Sequence, residues 1–346
     1  MFKSFTLKIH FMKSNSYLQM IPDEKIQQLF EKIGESILNS SFLGKGEASI
    51  VLKITTNQNT YALKTALYPK RKEKILKEAD FRNFFLNKGL SYVPKPVFVD
   101  SEIFPNGAVI YEFVNGKKPD VISTDNLRQF AQIISEIHKT KYEIIEDGFS
   151  QILKTYNFLD KTTKKIISRF PHLVNTSIEL AFENALKEYK QMIDNAQDIS
   201  TIGVNAQLHG DLSDNFVIDD ENKIWLIDWE NSEYGDILEE IYWFLFVNRI
   251  KSEDKSLFYK EYQKRFIPAQ KIKFEELEIF YYSVTPVFNF CWGLDQLAMN
   301  IEQNLEPERK LRDMAKSANG WKQYFSDSTS LMIIKGTKTL KEKLGK

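Results

Sequence analysis

The sequence predicts an α+β fold in two lobes, a small antiparallel β-sheet with one main helix followed by a larger, mostly helical part. Three observations lead there. Strand-type segments crowd the stretch up to about residue 114, helical periodicity dominates after residue 115, and 346 residues are too many for one small core. The division expected is an N-terminal extension at 1–21, an N-terminal lobe at 22–114 and a helical C-terminal lobe at 115–346.

Within the extension, Phe5, Leu7, Ile9 and Phe11 alternate, which reads as an extra strand. Its lysines interrupt any apolar run, against a signal peptide. After Pro22-Asp23, apolar residues at 26, 29, 30, 33 and 37 predict a helix to about Leu38. Ile50–Ile54 and Tyr61–Lys64 flank a polar turn at 56–59, a hairpin signal. Residues 70–88 return to helical period, and Gly89 stops it. Strands at 97–99 and 108–113 surround Pro105-Asn106-Gly107. Beyond Pro119, helices are expected at 125–138, 177–194, 236–249, 274–300 and 307–324, broken by a strand-turn-strand run between Gln207 and Ile227. The Lys-rich end, 335–346, reads as solvated helix or fray.

Lys plus Arg and Asp plus Glu both total 47, so no field of either sign favours nucleic acid or an anionic membrane surface. The most apolar long stretch, Ile279–Leu294, carries Ser283, Thr285, Pro286 and Asn289; it is too short and too polar for a membrane span and reads as a buried helix. A single cysteine, Cys291, forms no internal disulfide and fits a reducing cytoplasm. Four histidines and one cysteine lack zinc-ligand spacing, and no Gly-x-Ser-x-Gly elbow is present.

The chemistry concentrates in Leu208-His209-Gly210-Asp211-Leu212-Ser213-Asp214-Asn215, followed by Trp225-Leu226-Ile227-Asp228-Trp229-Glu230. One carboxylate sits in a polar loop and a second ends a short apolar strand, thirteen residues after Asn215. Phosphoryl transfer from a nucleotide needs such a pair: one acid to orient the accepting hydroxyl, and another acid with an amide oxygen to hold Mg²⁺. Asp211 is therefore the expected catalytic base, Asn215 and Asp228 the expected metal ligands, and His209 a buried hydrogen-bonding scaffold. Upstream, Gly44, Gly46 and Ser49 belong to a glycine-rich turn whose backbone N–H groups could close over phosphate. It is not a Walker A loop, because no Gly-Lys-Ser/Thr follows. Lys64, flanked by Ala62, Leu63 and Thr65, needs a partner; Glu78 is the favoured helix glutamate and Glu73 the other choice.

Assembled, these residues resemble the aminoglycoside phosphotransferase and choline kinase-like superfamily, which shares the protein-kinase fold. The resemblance runs from about Ser41 to Phe246 and more loosely beyond. It implies a bilobal kinase-like fold, a nucleoside triphosphate donor (ATP or GTP), Mg²⁺, and the same roles for Gly44, Gly46, Lys64, Glu78, Asp211, Asn215 and Asp228. It also implies that Tyr111–Gly116 is the lobe connector, with Glu112 and Val114 at the adenine edge. In one respect the sequence departs from the family, which places its Asn five residues after the catalytic Asp; here Asn215 comes four after Asp211. Either the loop is tightened with roles unchanged, or Asp214 takes part of the metal's coordination.

Asp228 is followed almost at once by Gly235-Asp236 and a helix, leaving no peptide-docking segment, so a small-molecule acceptor is expected. A catalytically impaired nucleotide-binding module would have lost one of Lys64, Asp211, Asn215 or Asp228, and all four are present. The acceptor is expected near the catalytic loop and the C-terminal helices, with Glu230, Trp292 and Asp295 among its contacts. Trp292-Gly293-Leu294 resembles a choline-kinase helix, whose aromatics cage a quaternary ammonium, while Asp295 suits a primary amine or amino sugar. The expectation is an O-phosphotransferase of aminoglycoside-phosphotransferase type, with a choline or ethanolamine kinase as the alternative.

Overall fold

The structure, a computed structural model, describes residues 21–46, 49–196, 199, 201–213, 215–302 and 308–345. The strand expected within residues 5–11 and the part assigned to Asp214 lie outside the described residues. The chain divides into two compact units, one formed by Met1–Lys141 and Gln207–Tyr234, the other by Tyr142–Ala206 and Gly235–Lys346.

The first unit opens with helix α1 (Asp23–Glu31), whose first turn carries Asp23 and Glu24 toward the positive end of the helix dipole. It buries Ile26, Leu29 and Phe30. The apolar pattern continues to Leu38, but the helix does not. Gly34 takes φ +73° and the Glu35 N–H donates to the Phe30 carbonyl at 3.1 Å, closing the helix as a glycine C-cap does. Ile37 already stands in β1 (Ile37–Lys45), opposite Thr56.

An antiparallel sheet follows in the order β1-β2-β3-β5-β4, from β2 (Ser49–Thr56), β3 (Thr60–Ala66), β4 (Pro96–Asp100) and β5 (Ala108–Glu112). Strand alternation sorts its side chains. Ile50, Leu52, Ile54, Tyr61, Leu63 and Ile110 pack with Leu29 and Phe30 of α1. Ala66, Val109 and Tyr111 pack with Ile75 and Ala79 of helix α2 (Lys72–Asn87). Lys64 lies between Leu63 and Thr65 on β3, so the same alternation turns it toward the α2 side.

Two smaller elements complete this unit. Helix α3 (Thr124–Lys139) is capped by Ser123, whose hydroxyl accepts from the Asn126 N–H. A three-stranded antiparallel sheet has the order β10-β9-β6, built from β6 (Gly116–Lys117), β9 (Phe216–Asp219) and β10 (Ile224–Leu226).

In the second unit, β7 (Tyr142–Ile145) pairs antiparallel with the start of β8 (Gly203–Leu208). The rest is helical: α4 (Phe149–Arg169), α5 (Thr176–Asn195), α6 (Ile237–Val247, after the short strand β11 at Glu233–Asp236), α7 (Ser252–Arg265), α8 (Phe274–Glu302), α9 (Glu308–Tyr324) and α10 (Asp327–Lys343). The stretch 279–294 forms the middle of α8, where Phe280, Tyr281, Tyr282, Val287, Phe290 and Leu294 are buried. No helix among the described residues is long and apolar enough to cross a membrane.

Three helices go beyond the segments named from periodicity. α4 buries only Gln151, Ile152, Leu159, Thr163 and Ile166 over its length, a sparse stripe. Half of α7 is charged, and it buries only Phe258, Tyr259 and Tyr262. The Lys-rich tail is helical to Lys343, as one of its two readings had it, but not wholly solvated: Gly336, Thr337 and Leu340 are buried within α10. Its start is fixed to α5 by Glu188, which accepts from the Ser326 N–H at 2.7 Å and from the Ser326 and Thr329 hydroxyls at 2.6 Å.

Candidate active site

Lys64 is where the first unit gathers its charge. The ammonium is buried at the middle of β3 and donates to Glu78 Oε2 at 2.6 Å, to Asp228 Oδ1 at 2.7 Å and to Glu230 Oε2 at 3.4 Å. The glutamate on Lys64 is thus Glu78 of α2, fully buried, whereas no ion pair joins Lys64 to Glu73 among the described residues. Burial works against the lysine's charge, but Glu78, Asp228 and Glu230 outweigh it and raise the ammonium's pKa. Burial likewise opposes the Glu78 carboxylate, yet Lys64 and Arg82 hold its pKa down to about 2. Both groups stay ionised at neutral pH.

Asp228 leaves β10 with φ +60°, a backbone conformation uncommon outside glycine. The strand before it is laced to the Asp211 loop. The Ile227 N–H donates to the Asn215 carbonyl at 2.9 Å, and the Ile227 carbonyl lies 3.0 Å from His209 Nε2. His209 Nδ1 accepts from the Asp211 N–H at 3.4 Å, which makes Nε2 the protonated nitrogen and the donor to Ile227. The imidazole is fully buried, with its ring centre 4.3 Å from that of Trp229. This is a scaffold: one ring ties the backbone of the Asp211 loop to the residue before Asp228.

The loop itself is tight. Asn215 Nδ2 donates to the Asp211 carbonyl at 2.8 Å, spanning the four-residue spacing, and the Ser213 hydroxyl donates to Asp211 Oδ1 at 3.2 Å. Gly210 has φ +84°, and a Cβ there would stand 2.0 Å from the Asn231 carbonyl oxygen. Only glycine fits that position. Ser232 reinforces the join by donating from its hydroxyl to the Leu208 carbonyl at 2.6 Å.

In the glycine-rich turn, the Gly46 N–H donates to the Ser49 carbonyl at 2.9 Å and Gly44 lies beside an irregularity in the β1–β2 register. At the end of β5 the Glu112 N–H donates to the Lys95 carbonyl, and beyond it the Val114 carbonyl accepts from the Gly116 N–H. The acceptor contacts expected from sequence fall in different units. Glu230 stands in the Lys64 cluster, its carboxylate within 4.8 Å of those of Glu78 and Asp228. Trp292 and Asp295 belong to the second unit, and each has a neighbour there. The Lys310 ammonium lies 4.0 Å from the Trp292 ring centre, and Arg169 pairs with Asp295 at 3.2 Å. Sequence reasoning passed over Arg82, which grips Glu78; its signal was the four-residue spacing between the two on one helix.

A strand lysine held by a helix glutamate, beside an Asp–Asn loop bonded to the strand of a second aspartate, is the equipment of a kinase-type phosphotransferase. The chain belongs to the phosphotransferase enzyme family, whose model matches residues 41–277. It is 24% identical over 193 residues, 55% of this chain and 71% of the relative, to a protein LicA homolog of Mycoplasma capricolum. Among solved structures it is similar to the choline kinase LicA from Streptococcus pneumoniae, with TM-score 0.58, 17% identity, 89% of this chain covered and 100% of that one. It is also similar to the spectinomycin phosphotransferase APH(9)-Ia solved with ADP and spectinomycin, with TM-score 0.56, 14% identity, and 90% and 98% covered. The protein is accordingly a phosphotransferase of this family, and its fold is the kinase-like one the sequence resembled.

Proposed function

We propose that the protein transfers the γ-phosphoryl group of ATP or GTP to a hydroxyl of a small molecule, with Mg²⁺ as cofactor. One observation carries this reading. Lys64 is held at 2.6 Å by Glu78 and at 2.7 Å by Asp228, whose strand is hydrogen-bonded through Ile227 to the Asp211–Asn215 loop. The donor set suits Mg²⁺: Asp228 and Glu230 offer carboxylate oxygens, Asn215 an amide oxygen, and no nitrogen or sulfur ligand competes among them. Mg²⁺ favours such hard oxygens, few in number. When bound, it neutralises charge on the phosphate oxygens.

The chain's own residues do the rest. Gly44 to Ser49 covers the phosphates with backbone N–H groups, and Lys64, fixed by Glu78, donates to them. Glu112 and Val114 read the base through their backbone. Asp211 accepts or orients the proton of the attacking hydroxyl and aims its oxygen at the γ-phosphorus. The Ser213 hydroxyl and the His209 ring fix the orientation of that loop before substrate arrives, so little reorganisation accompanies the chemistry. A setting in the reducing cytoplasm suits a chain whose one cysteine is buried and free.

For the acceptor, an amine-bearing alcohol such as an amino sugar is the first reading. A choline or ethanolamine kinase is the second, favoured by the LicA relatives and by Trp292, which is 41% exposed and already has a cation beside its ring. The deciding experiment is a coupled nucleoside-diphosphate release screen with ATP and GTP over aminoglycosides, choline, ethanolamine, homoserine and amino sugars. Acceptor-dependent release in one class identifies the substrate. No release with any hydroxyl compound would sink the reading.

A further inference from the structure

Glu78 is shared between two cations, and only one of them belongs to the expected machinery. Its Oε2 accepts from Lys64 at 2.6 Å; its Oε1 accepts from Arg82 Nε at 3.0 Å and also from the terminal nitrogen Nη2 of the same guanidinium. Arg82 sits four residues after Glu78 on α2, only 3% exposed. Its Nη1 donates to the Pro94 carbonyl at 3.4 Å and its Cζ lies 3.7 Å from the centre of the Tyr111 ring. The Tyr111 hydroxyl is buried with no hydrogen-bond partner among the described residues, so the contact that ring supplies to Arg82 is its face.

Charge counting shows what this arrangement does. Lys64 touches three carboxylates, Glu78, Asp228 and Glu230. Were it the sole cation, it would be overcommitted to them, with little of its field left for a phosphate. Arg82 takes up Glu78 from the side away from Lys64, through two nitrogens of a planar fork that a lysine cannot reproduce. We propose that Arg82 is a positioning residue of the phosphate site: by neutralising and fixing Glu78 it leaves the Lys64 ammonium oriented toward the phosphates of a nucleoside triphosphate. This rests on the phosphotransferase reading above. Arg82 itself touches no substrate; it acts through Glu78.

Acting through Glu78 has a signature that simple structural support lacks. Arg82 should matter for the phosphates and not for the base or sugar, and it should matter only while Glu78 carries charge. The test is a double-mutant cycle read by calorimetric binding of ATP or GTP, whichever the wild type prefers, and of the matching nucleoside. R82M should weaken triphosphate binding by at least about tenfold, the scale of losing one charge-assisted hydrogen bond. Nucleoside binding should change less than about twofold on the same scale. R82K should recover part of the loss. R82M strands a buried carboxylate and can fail to fold, so the E78Q and E78Q/R82M pair is the second arm: the double variant leaves no unpaired charge at these two positions, and the guanidinium that E78Q alone leaves keeps its contacts with Pro94 and Tyr111. There R82M should add less than about twofold. Equal losses for nucleoside and triphosphate, or a tenfold loss persisting in the E78Q background, would overturn the assignment. Wild-type protein that binds neither triphosphate overturns the phosphotransferase reading together with it, whereas wild-type binding with an unaffected R82M overturns the Arg82 role alone.

Discussion

Asp211 is the residue on which the proposed chemistry turns. Its carboxylate receives the Ser213 hydroxyl at 3.2 Å, and its backbone is pinned by His209 and Asn215. Replacing it with Asn keeps shape and hydrogen bonding but removes the base. D211N should therefore lose roughly 10²–10⁴ in kcat for phosphoryl transfer while nucleotide affinity, measured by calorimetry, stays near wild type. Asp236 offers a different residue-level test, in the second unit. It caps α6 through the Leu238 N–H at 2.9 Å and accepts the Tyr281 hydroxyl at 2.5 Å. Burial first, then nearby Glu239, pushes its carboxyl up to about 7 from the ordinary 3.8, against those bonds and Lys154. A carboxyl whose folded pKa is raised binds more protons folded than unfolded, so its ionisation costs stability as pH rises through that interval. Wild type should lose stability relative to D236N between about pH 4 and pH 7, read from denaturant midpoints at each pH. A constant difference would contradict the shift.

The elements show which parts of the fold were legible in the sequence. Where apolar residues alternate against one core, as at Ile50, Leu52 and Ile54, the strand could be read directly. The first helix could not be bounded, because its apolar spacing continues into Ile37 while Gly34 turns the chain at φ +73°. α4 and α7 were hard to see for the opposite reason: their buried faces are sparse, so periodicity carries little signal. The candidate site could be proposed from sequence where phosphoryl transfer dictates residue type, at Asp211, Asn215, Asp228 and Lys64. It was illegible where tertiary contact decides, as in Glu230 joining Lys64 and Lys310 standing over Trp292. Two glycines test the packing of elements. G210A needs a strained φ of +84° and a Cβ 2.0 Å from a carbonyl oxygen, so it should destabilise by about 2–4 kcal/mol and abolish turnover. G336A in α10 sets two effects against each other. Ala gains up to about 1 kcal/mol in helix propensity, yet its Cβ would come within 2.5 Å of Ile178 Cγ1 and 3.0 Å of the Ile178 backbone nitrogen on α5. Overpacking typically costs about 1–3 kcal/mol, and backbone cannot yield as a side-chain tip does. A lower melting temperature is expected; a higher one would mean the two helices separate easily.

At the scale of the whole molecule, the chain builds its first unit from two separated stretches, 1–141 and 207–234. That return places the Asp211 loop and Asp228 in the same unit as Lys64 and Glu78, 164 residues apart in sequence between Lys64 and Asp228. Composition alone said little about this outcome: balanced bulk charge names neither a partner nor a substrate. Whether Asp228 and Lys64 belong to one metal-nucleotide site can be read from ligand-linked thermal stability. Mg²⁺ with the preferred triphosphate at a hundred times its Kd should stabilise wild type by about 2.7 kcal/mol, a shift of several degrees. EDTA or the D228N substitution should remove most of that shift. A full shift in both would contradict the claim.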